Sequence, residues 1–168
     1  MRSHGVAPLL LACFTSRVAN GAIYFSPHVQ DHMVLQRSPQ KSAIYGTLTR
    51  NNDSHPPVVT AVVTSDDGRR YSKSGNVRGD EWIVHLRPES AGGNYTITVS
   101  CENCSGTKKK ENENVVLRDV TFGDVWFCGG QSNMVLPLKK SFSNKISGDR
   151  IRSGHYGNIR MYKKNIRK

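Results

Sequence analysis

The chain has 168 residues, a formal net charge of +11, and 36% hydrophobic and 8% aromatic residues. A chain of this length can bury one modest core. No stretch reaches the roughly 18 to 20 consecutive apolar residues that a membrane-spanning helix needs, so the sequence predicts no membrane span.

The first 21 residues have the pattern of a secretory signal peptide. Arg2 precedes the apolar run Val6–Phe14, and the small residues Ala19 and Gly21 follow it. A buried amino-terminal helix is the alternative interpretation. We predict residues 1–21 as a signal peptide, which implies a secreted or lysosomal protein.

Three Asn-x-Ser/Thr triplets support the same compartment. The candidate glycosylation sites are Asn52, Asn94 and Asn103. In an oxidising compartment, cysteines are disulfide candidates before they are metal ligands. The candidates are Cys101, Cys104 and Cys128, and their pairing stays open. A single Cys-x-x-Cys supplies too few ligands for zinc, so we expect no metal.

Residues 22–119 are predicted to form a β-rich module. Val58–Thr64 is mostly β-branched, and the Asp67-Gly68 pair behind it is a strong hairpin signal. Further strands are predicted at Trp82–Leu86 and Tyr95–Val99. Short strands at this spacing favour a small sandwich or a jelly-roll-like fold.

A short apolar run then leads into two glycines and a lone serine. Val125–Cys128 predicts a buried strand, and Gly129-Gly130 predicts a tight turn at its end. A turn of this kind can expose the hydroxyl of Ser132 while its backbone N–H points inward. We predict Ser132 as a nucleophile and backbone oxyanion donor. Candidate supports of the substrate site are Gly130, Gln131 and Asn133.

The same stretch resembles a known family. Gly123–Met134, with the sequence Gly-Asp-Val-Trp-Phe-Cys-Gly-Gly-Gln-Ser-Asn-Met, resembles the first conserved block of the sialate O-acetylesterases, serine esterases of the SGNH-hydrolase type. Phe25–Arg37, which ends in Asp31–Arg37, is similar to the amino-terminal signature of the family, and Trp82–Val99 to its middle β segment. Two departures occur: Gly129 stands where the family often has serine, and Val135-Leu136 replaces a frequent Glu-Trp pair.

The resemblance implies both an activity and an architecture. The activity is removal of acetyl groups from sialic acid hydroxyls through an acyl-serine, with O-acetylated sialic acid or a related acetylated sugar as substrate and no cofactor. The architecture is a β module followed at residues 120–138 by the incomplete start of an α/β SGNH-type domain. Val125–Phe127 would be its first central strand, and a helix would follow Ser132.

Residues 139–168 form a basic tail with ten Lys or Arg and one acidic residue. The tail shows no periodic core-forming face, so we expect it to be poorly ordered. In the resembled family the catalytic base and its acidic partner come from a late Asp-x-x-His block, and this motif is absent from the sequence. The nearest local substitutes, Asp149 and His155, are predicted as surface residues. We therefore expect an incomplete esterase that turns over little by itself.

Two other functions remain open. One is a non-catalytic secreted β module that binds glycans or a partner. The other is attachment of the tail to acidic polymers such as nucleic acid or sulfated glycans. Only Phe142, Tyr156 and Tyr162 could stack on bases in the tail. Together with the signal peptide, this argues against nucleic acid. The oligomeric state is not predicted.

Overall fold

The computed structural model describes residues 23–50, 55–104, 114–130 and 136–162. In this part of the chain, strands dominate and helix is minor. The strands are β1 (Ile23–Phe25), β2 (Val34–Gln36), β3 (Ala43–Leu48), β4 (Val58–Ser65), β5 (Arg70–Ser74), β6 (Asn76–Arg78), β7 (Glu81–His85), β8 (Gly92–Glu102) and β9 (Asn114–Gly123). A 3-10 turn at Leu138–Lys140 and one helix, α1 (Asn144–Arg152), follow them.

The strands form two sheets. The four-stranded sheet has the order β1-β3-β7-β6, and the five-stranded sheet has the order β2-β9-β8-β4-β5. The neighbouring strands are antiparallel except β2 and β9, which run parallel. The long pairing of β4 with β8 extends from Val58 opposite Glu102 to Ser65 opposite Tyr95. It forms the centre of the larger sheet.

The core lies where the inward faces of both sheets meet. Side chains alternate between the two faces of a strand, so every second residue of a half-buried strand points inward. In β4 the buried residues include Val59, Ala61 and Val63, and in β8 they include Ile97 and Val99. Residues of both sheets join one apolar cluster, as in a β-sandwich.

The mainly β architecture predicted from the sequence is confirmed. The β-branched run became β4, and Asp67-Gly68 forms the β4–β5 hairpin with Gly68 in the left-handed region at φ 86°. The strands predicted at residues 82–86 and 95–99 lie in β7 and β8. The last strand of the module, β9, continues to Gly123, past the expected boundary at Asp119.

The buried strand predicted at Val125–Cys128 is wrong in this structure. These residues follow the end of β9 and belong to no strand. Trp126 and Phe127 are 84% and 97% exposed. An apolar run becomes a central strand only if neighbouring strands cover it, and the described residues after Gly123 contain none.

The described part of the tail contains one regular helix. Residues 144–152 form the nine-residue helix α1, and none of its side chains is buried. Pro137 directly precedes the 3-10 turn at Leu138–Lys140. Residues 158–162 belong to no strand.

A glycine on β3 makes room for the largest core side chain. Gly46 lies opposite Trp82 on one side and opposite Phe25 on the other. The rings of Phe25 and Trp82 lie 5.7 Å apart between their centroids. Trp82 Nε1–H is near two backbone carbonyls, those of Tyr24 at 3.2 Å and Thr47 at 3.1 Å. The indole is therefore buried with its polar group satisfied.

We predict that Gly46→Ala destabilises the protein by about 1–3 kcal/mol, because a methyl group there overpacks the core. A Cβ at position 46 would lie 1.9 Å from the Tyr24 carbonyl oxygen and 2.9 Å from the Trp82 ring. Urea unfolding measures the loss. Gly148→Ala is the matched control, since its Cβ would lie 3.5 Å from the nearest atom, a flexible arginine end, on an exposed helix. Equal stability of the Gly46→Ala and wild-type proteins would contradict this packing.

Candidate active site at the end of strand β9

The predicted nucleophile follows a segment that leaves the sandwich at the end of β9. Residues 124–130 continue from β9 without regular structure, and Gly130 is exposed. Ser132, Gln131 and Asn133 lie outside the described residues. The described part of the site is therefore the approach to the serine and the groups that fix its direction.

Strand β2 lies beside the strand that leads to the serine. Val34, Leu35 and Gln36 pair in parallel with the last three residues of β9. The backbone N–H of Arg37 continues this ladder with a bond to the Gly123 carbonyl at 2.9 Å. The Asp31–Arg37 stretch and the start of the Gly123–Met134 stretch are thus neighbours in space, although far apart in the sequence.

Two side chains of β2 and its extension hold the chain just after β9. Arg37 Nε donates to Asp124 Oδ1 at 2.8 Å. Gln36 Oε1 accepts the backbone N–H of Val125 at 3.2 Å. We call these four residues, Gln36, Arg37, Asp124 and Val125, the exit clamp. Because it holds a side chain and a backbone amide of consecutive residues, it sets the direction in which the chain leaves the sheet.

A second polar cluster lies at the other end of the β2–β9 pair. His32 Nδ1 lies 2.6 Å from Asp119 Oδ2, and Arg160 Nη2 donates to Asp119 Oδ1 at 3.0 Å. Arg160 Nη1 also donates to the Asp119 carbonyl. His32 and Asp119 both have left-handed backbones, with φ of 64° and 52°. We call His32, Asp119 and Arg160 the His-Asp-Arg cluster.

This cluster connects the tail to the β-sandwich. The Arg160 side chain reaches both backbone and side chain of Asp119, so residues after α1 are held against the end of the sheet. The hydrogen bond from His32, with that from Arg160, lowers the pKa of Asp119 below its ordinary value of 3.8. A carboxylate that accepts such bonds favours its charged form. The His32 side chain is 73% exposed, and we interpret its contact with Asp119 as structural.

The other predicted site residues are dispersed. Cys101 and Cys104 form a disulfide with a Cα–Cα distance of 5.8 Å, whereas Cys128 is free and exposed. Cys128 is therefore not the buried strand residue that the apolar run suggested. Asn94 and Asn103 are exposed on or beside β8, and Asn52 lies outside the described residues. Their glycosylation stays a prediction.

The nearest sequence substitutes for a catalytic acid and base do not meet. Asp149 pairs with Arg152 within α1, and the His155 ring contacts Tyr156.

In the described ranges, no three His, Cys, Asp or Glu side chains converge as a metal site would require. No helix in the same ranges is long and apolar enough to cross a membrane. The predicted signal peptide lies outside them.

The exit clamp and the His-Asp-Arg cluster were missed from the sequence. The residues that contact each other are 87 positions apart in the pairs His32–Asp119 and Arg37–Asp124. Opposite charges at the two ends of the Asp31–Arg37 stretch were a visible signal. Only the parallel pairing of β2 with β9 shows which partners they meet.

Proteins that are similar to this chain in sequence include sialate O-acetylesterases from several mammals. The chain is 32% identical over 142 residues to sialate O-acetylesterase of Pongo abelii, which covers 82% of this chain and 24% of the relative. It is 30% identical over 167 residues to sialate O-acetylesterase of Rattus norvegicus, which covers 96% of this chain and 28% of the relative. The chain therefore spans about a quarter of the length of these curated relatives. No family model matches it.

A solved structure agrees with the sequence relatives. A carbohydrate acetylesterase from Xanthomonas citri superposes with a TM-score of 0.51 at 27% sequence identity. The match covers 74% of this chain and 24% of that one.

We predict that Arg37→Ala loosens the segment after β9 without unfolding the sandwich. The ion pair is exposed, so global stability should change little, but local opening of residues 124–130 should become more frequent. Amide hydrogen exchange should speed up several-fold at Val125 and its neighbours. Arg78→Ala, an exposed arginine on β6, is the matched control. The swap Arg37→Asp with Asp124→Arg should restore protection, and unchanged exchange in Arg37→Ala would refute the clamp.

We predict that the His-Asp-Arg cluster weakens in acid. A carboxyl with a lowered pKa stabilises the fold above its unfolded pKa, near 3.8, and this contribution is lost as the pH falls through the folded pKa. A carbon-detected NMR titration should place the Asp119 midpoint below 3.8. His32→Ala and Arg160→Ala should each move the midpoint up toward 3.8. An unchanged midpoint in His32→Ala would contradict the proposed contact.

Proposed function

We propose a function from one premise: the chain is homologous over most of its length to the sialate O-acetylesterase family. The proposed reaction is hydrolysis of acetyl esters on sialic acids or related acetylated sugars. Ser132 is the proposed nucleophile, and its acetylated form is the proposed intermediate. The names of the relatives and of the structural neighbour support an acetyl ester of a carbohydrate as the substrate class.

One observation carries this proposal. Two stretches with family resemblance are neighbours: the end of Phe25–Arg37 lies beside the start of Gly123–Met134. They pair through β2 and β9, and the exit clamp ties them at the point where the chain turns toward Ser132. A nucleophile must be held in a fixed orientation to react, and fixing the exit from a sheet is one way to achieve this. The arrangement supports a positioned serine better than a free surface loop.

The chemistry requires more than the serine. An ester-cleaving serine needs a base to accept its proton, an acidic group to orient that base, and oxyanion donors. The backbone N–H of Ser132 is proposed as one donor, with Gly130, Gln131 and Asn133 as supports of the substrate site. No Asp-x-x-His motif occurs in the 168 residues. We therefore propose that this chain supplies the nucleophile side of the site and turns over slowly by itself.

The proposed setting is the secretory pathway. The predicted signal peptide, the three sequons and the Cys101–Cys104 disulfide agree with an oxidising compartment. Secreted and lysosomal destinations are both compatible with these features.

We predict that Ser132→Ala abolishes acetate release from O-acetylated sialic acid. The experiment uses the recombinant chain and the natural product purified with an antibody against residues 23–99. Ser143→Ala is the control, because Ser143 is an exposed serine in the same half of the chain. Intact-mass analysis should find an acetyl group on Ser132 in wild-type protein trapped by acid quench. Acetate release that survives Ser132→Ala would refute the assignment.

The second candidate is a non-catalytic glycan-binding module. It is favoured by an arginine-rich cleft on the β-sandwich. The Ser132→Ala variant distinguishes the two functions, because glycan binding by the module would not depend on Ser132.

A further inference from the structure

A cleft of about 300 Å³ lies at one edge of the five-stranded sheet. The strand at this edge is β5, and the segment after β7 forms the other wall. Its polar and aromatic lining residues are Ser65, Tyr71, Tyr95, Glu89 and the arginines Arg69, Arg70 and Arg87. Its volume is at the lower end of the range for small-molecule pockets and would hold one sugar ring. The cleft belongs to the β-sandwich alone.

Arg87 is held in place by an aromatic ring. Its guanidinium carbon lies 4.7 Å from the centroid of the Tyr71 ring. Stacking uses the flat face of the guanidinium and leaves its N–H groups, which lie in the plane, free to donate. Arg87 has no carboxylate within ion-pair distance among the residues that the structure describes. It is thus an ordered cation with open donors.

The other two arginines differ from each other. Arg69 is bound to Asp67, with Nε 2.8 Å from Oδ2, and the Arg69 backbone N–H donates to Oδ1 at 3.1 Å. Hydrogen bonds from Ser65 and Arg69 lower the pKa of Asp67 to about 2, so this neutralising charge persists. Arg70, like Arg87, has no carboxylate partner in the described ranges, and it lies opposite Thr64 on the outer face of β5. Arg70 and Arg87 are therefore the two available cations.

The tyrosines add a donor and a rigid wall. Tyr95 is buried and packs edge-to-face against Phe122, with 4.9 Å between the centroids. The Tyr71 hydroxyl is buried beside the Arg87 backbone but makes no well-formed hydrogen bond in the described structure. Burial, with the nearby charge of Glu89, raises the pKa of Tyr71 to about 12. The Tyr71 hydroxyl therefore keeps its proton throughout the physiological pH range. It has no hydrogen-bond acceptor in the described structure.

We propose that this cleft binds the carboxylate of an acidic sugar at the end of a glycan, with Arg87 as its ligand and Arg70 as a second cation at the rim of the cleft. A guanidinium fork matches the two oxygens of a carboxylate, and the three arginines outnumber the neighbouring carboxylates of Glu89 and Asp67. With the Tyr71 face covered by Arg87, recognition depends on charge rather than on stacking of the sugar. The choice of sialic acid as the acidic sugar rests on the proposed function. The site would bring sialylated glycans to the protein without taking part in ester cleavage.

The test is an NMR titration of the full chain with 3′-sialyllactose, with lactose and sulfated lactose as comparison ligands. Sialyllactose should shift the amide signals of Arg70, Tyr71 and Arg87, and lactose should not. Arg87→Ala should weaken binding roughly tenfold or more, as expected for loss of a charge-assisted bidentate contact, and Arg70→Ala should weaken it less. Arg87→Lys keeps the charge but loses the fork, so it should also bind more weakly. Arg78→Ala is the matched exposed-arginine control and should bind as the wild type.

Several outcomes would overturn the proposal. They are equal shifts with lactose, equal or tighter binding of sulfated lactose, or wild-type affinity in Arg87→Ala with its fold intact. Ser132→Ala should leave sialyllactose binding unchanged, and loss of binding in that variant would place the ligand at the serine instead. Acetate release and sialyllactose binding are separate readouts. If acetate release does not depend on Ser132 but sialyllactose still binds, the esterase proposal fails and the cleft proposal remains. If acetate release depends on Ser132 but sialyllactose does not bind, only the cleft proposal is rejected.

Discussion

The parallel pairing of β2 with β9 is the constraint on which the candidate site depends. Strand β9 pairs with β8 on one side, and on its other side β2 covers its last three residues. An uncovered edge strand leaves a row of free backbone donors and acceptors. The short β2 strand therefore does two things: it covers the end of this edge, and it brings Gln36 and Arg37 to the end of β9.

The two polar groupings at the ends of this pair have different roles. The exit clamp acts on the chain as it leaves the sandwich toward Ser132, whereas the His-Asp-Arg cluster connects the tail back to the sandwich through Arg160. Both are exposed, and isolated exposed ion pairs contribute little to stability. Each grouping instead determines the path of one chain segment relative to the sheet, and the sandwich core supplies the stability.

The apolar residues after β9 show how the surroundings of a segment decide its secondary structure. Trp126 and Phe127 have the side chains of a core strand, yet they are exposed in the described structure because no strand covers them. Contiguous exposed apolar side chains of this size are uncommon on a soluble surface. The sandwich behind them is by contrast fully formed, with Trp82 fitted over Gly46 and its indole N–H satisfied. The change from packed strand to exposed segment occurs at Gly123.

Local chemistry in the sequence determined most of the sandwich. The β-branched run of β4, the Asp67-Gly68 turn and the alternation in β8 each depend on near neighbours along the chain, so the sequence alone predicted them. The serine motif and its family were recognised in the same way, because a motif is a local property. What the sequence could not determine were the contacts between distant segments: β2 beside β9, Arg37 with Asp124, and Arg87 stacked on Tyr71. Many registers can satisfy the local preferences of a strand, and only burial of the whole core selects one of them. The tertiary structure therefore decided which charges meet, and with them the candidate site and the cleft.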